Sequence, residues 1–219
     1  MAWLFLLLCL LATTGGAPLL WLLGLTRSQE VYFFSNRTLF WVCLLLTWWY
    51  CARVEKQPLL LWEEQRRGFG HYLAAIILLT VVILVSITIA AGIVTLVLHR
   101  KENSELVQKL IRYFRQHQFL LFYSAVTAGV TEELLFRGYL LPRLELLTRN
   151  RYVSIFISSL LFGLAHYKYG TVRNVVDAMV IGSILALYYE RYRNIKVVIL
   201  FHVLWDVSVI YLAIRNGTG

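Results

Sequence analysis

The chain has 219 residues, of which 59% are hydrophobic and only 15% charged, with a formal net charge of +9. Soluble domains carry about 25% charged residues, so the composition excludes an ordinary soluble protein and points to a membrane domain. Nucleic acid is not the expected partner of the positive charge. The Lys and Arg residues sit in short connections between apolar segments, where anionic lipid headgroups attract them, and no basic stripe with interleaved aromatics offers a groove for a strand.

Apolar segments of about 20 residues are long enough to cross the hydrocarbon core as helices. Seven are expected, near 2–25, 36–53, 72–98, 118–141, 152–167, 174–189 and 195–214. They predict an all-α, polytopic transmembrane helical bundle of seven or eight spans, a single integral membrane domain over 1–219. The first segment has no Lys or Arg before Arg27. It therefore lacks the basic region that opens a cleavable signal peptide and is expected as a transmembrane helix. Trp3, Trp21, Trp48, Trp49 and Trp62 fall near proposed span ends, as an interfacial belt requires. Cys9, Cys43 and Cys51 show no CxxC spacing and suit small buried hydrophobes better than a disulfide framework or a structural zinc site.

The stretch 54–71 mixes Pro58, an apolar LLLW run and paired charges, and is expected as an interfacial amphipathic helix rather than an eighth span. Basic residues divide evenly between the two sides of a seven-span chain, so the positive-inside rule gives no orientation. The dense patch HRKENSELVQKLIRYFRQHQ at 99–118 favours a cytoplasmic loop. Arg143, Arg149 and Arg151, further on, are expected to meet headgroups, with an acidic substrate tail as the alternative.

Glu132, Glu133 and Arg137 interrupt the fourth segment, FLLFYSAVTAGVTEELLFRGYLL. Ionisable groups at bilayer depth cost ~2.5–3.5 kcal/mol each on insertion scales, and persist where they pair, line a cavity or do chemistry. Glu133 and Arg137 are four apart and meet on one helix face, while Glu132 is turned away by about 100°. Arg137 thus neutralises Glu133, and Glu132 is left for work as a general base. The alternative is an ion pair that locks two helices, with the second glutamate facing water. Small residues upstream, Ser124, Ala125, Thr127, Ala128 and Gly129, let neighbouring helices approach.

The fifth and sixth segments are short, which predicts shielding by neighbours and a polar cavity between the last four helices. His166 ends the fifth, with Phe162 one turn below to orient its ring. Taken alone, a histidine at a helix end is more often an interfacial or hydrogen-bonded residue than a functional one. His202 and Asp206 stand at i and i+4 on the seventh, either as a working pair or as a polar clasp between helices.

EELLFR at 132–137, FGLAH at 162–166 and HVLWD at 202–206 resemble, in order, the three motifs of the CPBP intramembrane proteases, also called the ABI or CAAX-protease-like family. The resemblance covers about residues 118–214, which it marks as the protease-like core. It implies an endopeptidase acting on a membrane-embedded or membrane-adjacent peptide or membrane-protein substrate. Glu132 and His166 would activate water, His202 and Asp206 would stabilise the oxyanion, and Glu133 and Arg137 would support them. Family members with Asn at the last motif position can donate an amide hydrogen bond there. An ionised Asp206 cannot, which leaves it the task of orienting His202.

The family is often labelled metalloprotease, and Glu132, His166 and His202 are a competent zinc set, but no HExxH helix is present and a metal-free glutamate base is favoured. Two other readings compete. One is a non-catalytic immunity or scaffold protein of the same fold that captures a peptide. The other is a proton-linked transporter, although no inverted repeat is visible. The expected location is a multi-pass position in the membrane, the plasma membrane in a prokaryote.

Overall fold

A computed structural model describes residues 29–99 and 104–216. Every regular element among the described residues is helical, and they contain no strand. The chain divides into two compact units, Met1–Leu61 and Trp62–Gly219.

In the first unit, α1 spans Gln29–Tyr50 and widens into a π-helical turn over Cys51–Glu55. Lys56, at φ 54°, closes it in the left-handed region, with its N–H on the Cys51 carbonyl. Thr47 donates to the Cys43 carbonyl over 2.8 Å, which satisfies a hydroxyl that is fully buried. Cys43 and Cys51 are both buried, and no disulfide is present among the described residues. Cys9, Trp3, Trp21 and the first expected span lie outside the described residues.

The second unit holds α2 (Phe69–Leu98), α3 (Glu105–Gln116), α4 (Gln118–Glu133), a π-helical segment (Leu134–Leu140), α5 (Leu141–Thr148), α6 (Arg151–Ala165), α7 (Val172–Tyr192) and α8 (Ile195–Arg215). Four helices begin at residues whose side chains accept backbone N–H groups of the first turn: Ser104 for α3, Asn150 for α6, Thr171 for α7 and Asn194 for α8. In α2 only a stripe of Ala75, Leu79, Ile83, Ala90 and Val94 is buried. Leu73, Ile77, Val81 and Val85 point outward, as a helix apolar on all sides does when its outer face meets lipid. α6 packs along α7, α4 along α8 and α2 along α7.

Four runs are long and apolar enough to cross a membrane: Phe69–Leu98, Gln118–Thr148, Val172–Tyr192 and Ile195–Arg215. They coincide with four of the expected segments. The fifth expected segment is a helix, but α6 has only 15 residues. At 1.5 Å per residue it falls short of a hydrocarbon core of about 30 Å.

The stretch 54–71 is a correction. No helix forms from 56 to 68, because Pro58 cannot donate to a helical ladder and the polar groups downstream bond elsewhere. Glu64 accepts the Tyr189 hydroxyl and the Ile195 N–H, each over 2.7 Å. The Gln65 N–H donates to the Arg193 carbonyl over 2.7 Å, and Asn194 donates to the Gln65 carbonyl over 3.0 Å. Arg193 lies over the Trp62 ring at 3.3 Å. The segment is a strap on the α7–α8 turn. Burial pushes the Arg193 guanidinium below its ordinary value, in keeping with its packing against that ring.

Candidate active site

The site begins with a close approach of helices. A Cβ on Gly129 would lie 2.5 Å from Val203 Cγ2 and 3.1 Å from the Val203 N, so α4 and α8 meet at a contact only glycine permits. One turn later, Glu133 reaches across to α8. Its Oε1 accepts from His202 Nδ1 over 2.7 Å and from Arg137 Nη1 over 2.9 Å. Glu133 and Arg137 are almost wholly buried, at 0% and 1% exposure.

Arg137 lies in the π-helical segment. Pro142 has no N–H for the Gly138 carbonyl, and its ring crowds that carbonyl. The ladder re-registers, with the Leu141 N–H on the Phe136 carbonyl. Single wide turns of this kind recur at functional sites. Arg137 Nη2 donates to the Gly182 carbonyl over 3.0 Å, and the guanidinium stacks 4.3 Å from the Phe162 ring centroid. A Cβ on Gly182 would come within 3.2 Å of Nη2. A side chain there would crowd the cation where it binds α7.

On the other wall, Gly163 brings α6 onto α7. A Cβ there would stand 2.8 Å from the Val175 carbonyl oxygen. Three residues later α6 ends at His166, and the chain turns through Tyr167–Tyr169 to Gly170, whose φ of 80° favours glycine. His166 Nδ1 stands 2.8 Å from the Phe162 carbonyl oxygen. A carbonyl only accepts, so Nδ1 carries the proton and Nε2 presents a lone pair in the neutral ring. The Phe162 ring packs 4.9 Å from the imidazole, as the i, i+4 spacing predicts.

His166, His202 and Asp206 line one cavity of about 380 Å³, together with Phe162, Trp205 and residues of α2, α3 and α7. His202 Nε2 is 3.7 Å from Asp206 Oδ2, so both of its nitrogens face carboxylates. Glu132 is half-buried on α4. It is not among the side chains lining the cavity, though it is near enough to act electrostatically on Arg137 and His202. The sequence had paired Glu133 with Arg137, which the structure shows. It had not joined Glu133 to His202, because 69 residues separate them and no local spacing reports a contact between α4 and α8.

Among the described residues no three His, Cys, Asp or Glu side chains gather as metal ligands, and the set Glu132, His166 and His202 is no exception. Glu133, which does touch His202, already holds Arg137.

Two polar residues of the cavity wall went unnoticed in the sequence, Asn174 and Asp177 on α7. Asp177 sits inside the sixth apolar segment. The argument that singled out Glu132, a charge at bilayer depth, applies to it equally.

The family model described as type II CAAX prenyl endopeptidase Rce1-like matches residues 115–208. No curated protein and no solved structure matches the chain. The matched stretch runs from the last residues of α3 to just past Asp206, and so takes in the buried Glu133–Arg137–His202 group and both histidines of the cavity. Over these residues the chain is similar to the CPBP, or CAAX-protease-like, family.

Proposed function

We propose that this protein is a multi-pass intramembrane endopeptidase that hydrolyses a peptide bond in a membrane-embedded or membrane-adjacent substrate without a metal. The observation that carries the reading is the pair of histidines on one cavity with opposite hydrogen-bonding roles. His166 has its Nδ1 proton committed to a carbonyl and offers Nε2 as an acceptor. His202 is held through Nδ1 by a buried carboxylate, with a second carboxylate beyond Nε2.

In this mechanism a water molecule hydrogen-bonded to His166 Nε2 gives up its proton to that nitrogen, with Glu132 supporting the transfer from α4, and its oxygen adds to the scissile carbonyl carbon. His202 Nε2–H donates to the oxyanion that forms. Asp206, at 3.7 Å and on the same helix face, orients that N–H without being bonded tightly enough to hold it back. The intermediate collapses, the C–N bond breaks, and the proton held by the base passes to the departing amine. Glu133 and Arg137 position His202. A protein-borne base also needs water inside the bilayer, and the polar cavity wall supplies an environment for it.

The test is proteolysis by purified, reconstituted protein against a library of membrane-anchored peptides. Wild type should cut, Glu132→Ala and His166→Ala should each lose at least about a hundredfold, and a zinc chelator should change nothing. Equal cutting by the variants would overturn the roles of these two residues, and loss of cutting with chelator would overturn the metal-free chemistry. If wild type binds peptide and never cuts, the scaffold reading replaces this one.

A further inference from the structure

Two polar atoms on the cavity wall have no hydrogen-bond partner in the protein although each is buried: Asn174 Nδ2 and Asp177 Oδ1. Both residues line the cavity that His166, His202 and Asp206 line. They stand at i and i+3 on α7, hence on one face and one turn apart. The turn is fixed from both ends. Asn174 donates its backbone N–H to the capping Thr171 hydroxyl over 3.1 Å. Arg173 Nε binds Asp177 Oδ2 at 3.3 Å, which orients the carboxylate and leaves Oδ1 as the unused oxygen.

Buried polar groups are nearly always satisfied, and the exceptions call for a reason. Here the two unsatisfied atoms are of opposite kind, one donor and one acceptor. They do not satisfy each other, as the i and i+3 positions would have allowed. An extended peptide residue presents its C=O and N–H to the same side, which is how antiparallel strands exchange paired bonds. A membrane segment must leave its helix before a protease can reach a peptide bond, and each N–H and C=O so released is costly in an apolar setting unless something pairs with it.

We propose that Asn174 and Asp177 form a clamp for the substrate backbone: Asn174 Nδ2 donates to a substrate C=O, and Asp177 Oδ1 accepts a substrate N–H, beside the two histidines. The clamp rests on the peptidase reading and deepens it. It reads main chain rather than side chains, so it holds an unwound, extended segment of tolerant sequence in the cavity. Arg173 acts as a positioning residue through Asp177.

The test uses wild-type protein in vesicles and a fluorescent single-span peptide whose backbone amides are replaced one at a time by esters, each removing one N–H. Binding is read by fluorescence and cleavage separately by gel. At one ester position wild type should bind about tenfold more weakly. Asp177→Asn, whose side-chain oxygen still accepts but carries no charge, should show a smaller loss there. Asp177→Leu should bind the all-amide peptide about tenfold more weakly and show no further loss from that ester. Asn174→Leu should weaken binding of all peptides while keeping the ester effect. If no ester position affects wild type, or Asp177→Leu retains the full effect, or the peptide does not bind, the clamp is overturned. If binding behaves as expected while no peptide is cut, the clamp stands and the peptidase reading fails.

Discussion

At the scale of single residues, the strongest constraint is the buried Glu133–Arg137 pair. Removing one partner of a buried ion pair leaves an uncompensated charge and costs about 3–5 kcal/mol. Glu133→Ala should therefore lower stability by that order, measured by thermal unfolding in detergent, with Arg137 left without its carboxylate at 1% exposure. Glu133→Leu with Arg137→Met should regain most of the loss, because neither charge then remains buried. It should stay impaired in cleavage, since His202 Nδ1 has lost the oxygen 2.7 Å away. Full activity in a stable double variant would remove Glu133 from the positioning of His202. The residue pattern was well marked in the sequence wherever it was local. Glu133 with Arg137, His166 with Phe162 and His202 with Asp206 are all one helical turn apart, and all are in contact or near it. The Glu133–His202 bond was hidden because it depends on how two helices pack.

At the scale of elements, three glycines decide the geometry. Gly129 sets α4 on α8, Gly163 sets α6 on α7, and Gly182 admits Arg137. Overpacking a tight contact costs about 1–3 kcal/mol, and the displaced helix carries a site residue with it. Gly163→Val should push α6 off the Val175 carbonyl and shift His166, reducing cleavage by tenfold or more with a smaller loss of stability. Gly92→Ala, where nothing lies within 4 Å of the added carbon, is the matched control and should leave both unchanged. Equal effects of the two substitutions on cleavage would show that the α6–α7 contact does not set the site. The sequence had named Gly129 among small residues that permit close approach, and the structure specifies Val203 as what approaches. It misread 54–71 as a helix, because composition reports amphipathic character but not that Glu64 finds better partners in Tyr189 and Ile195.

At the scale of the whole molecule, four long apolar helices and the family match make this an integral membrane protein. Of the other expected spans, α6 is too short to cross alone, and the first lies outside the described residues. The second unit is tied together by the strap at 62–68. Glu64→Ala removes two charge-assisted bonds, one of them to the first N–H of α8, and should destabilise by about 1–3 kcal/mol while leaving residual cleavage with an unchanged KM. A selective rise in KM would mean that the strap contacts substrate instead.

The central claim is that water chemistry on a peptide bond is run by His166 and His202 at one cavity. The most direct measurement is mass spectrometry of a membrane-anchored peptide after incubation with reconstituted protein in water enriched in heavy oxygen, wild type beside His166→Ala and His202→Ala. A single internal cut with one heavy oxygen in the new carboxyl group, lost in both variants, is the predicted result. An intact peptide in the wild-type vesicles, or the same cut in either variant, would contradict it.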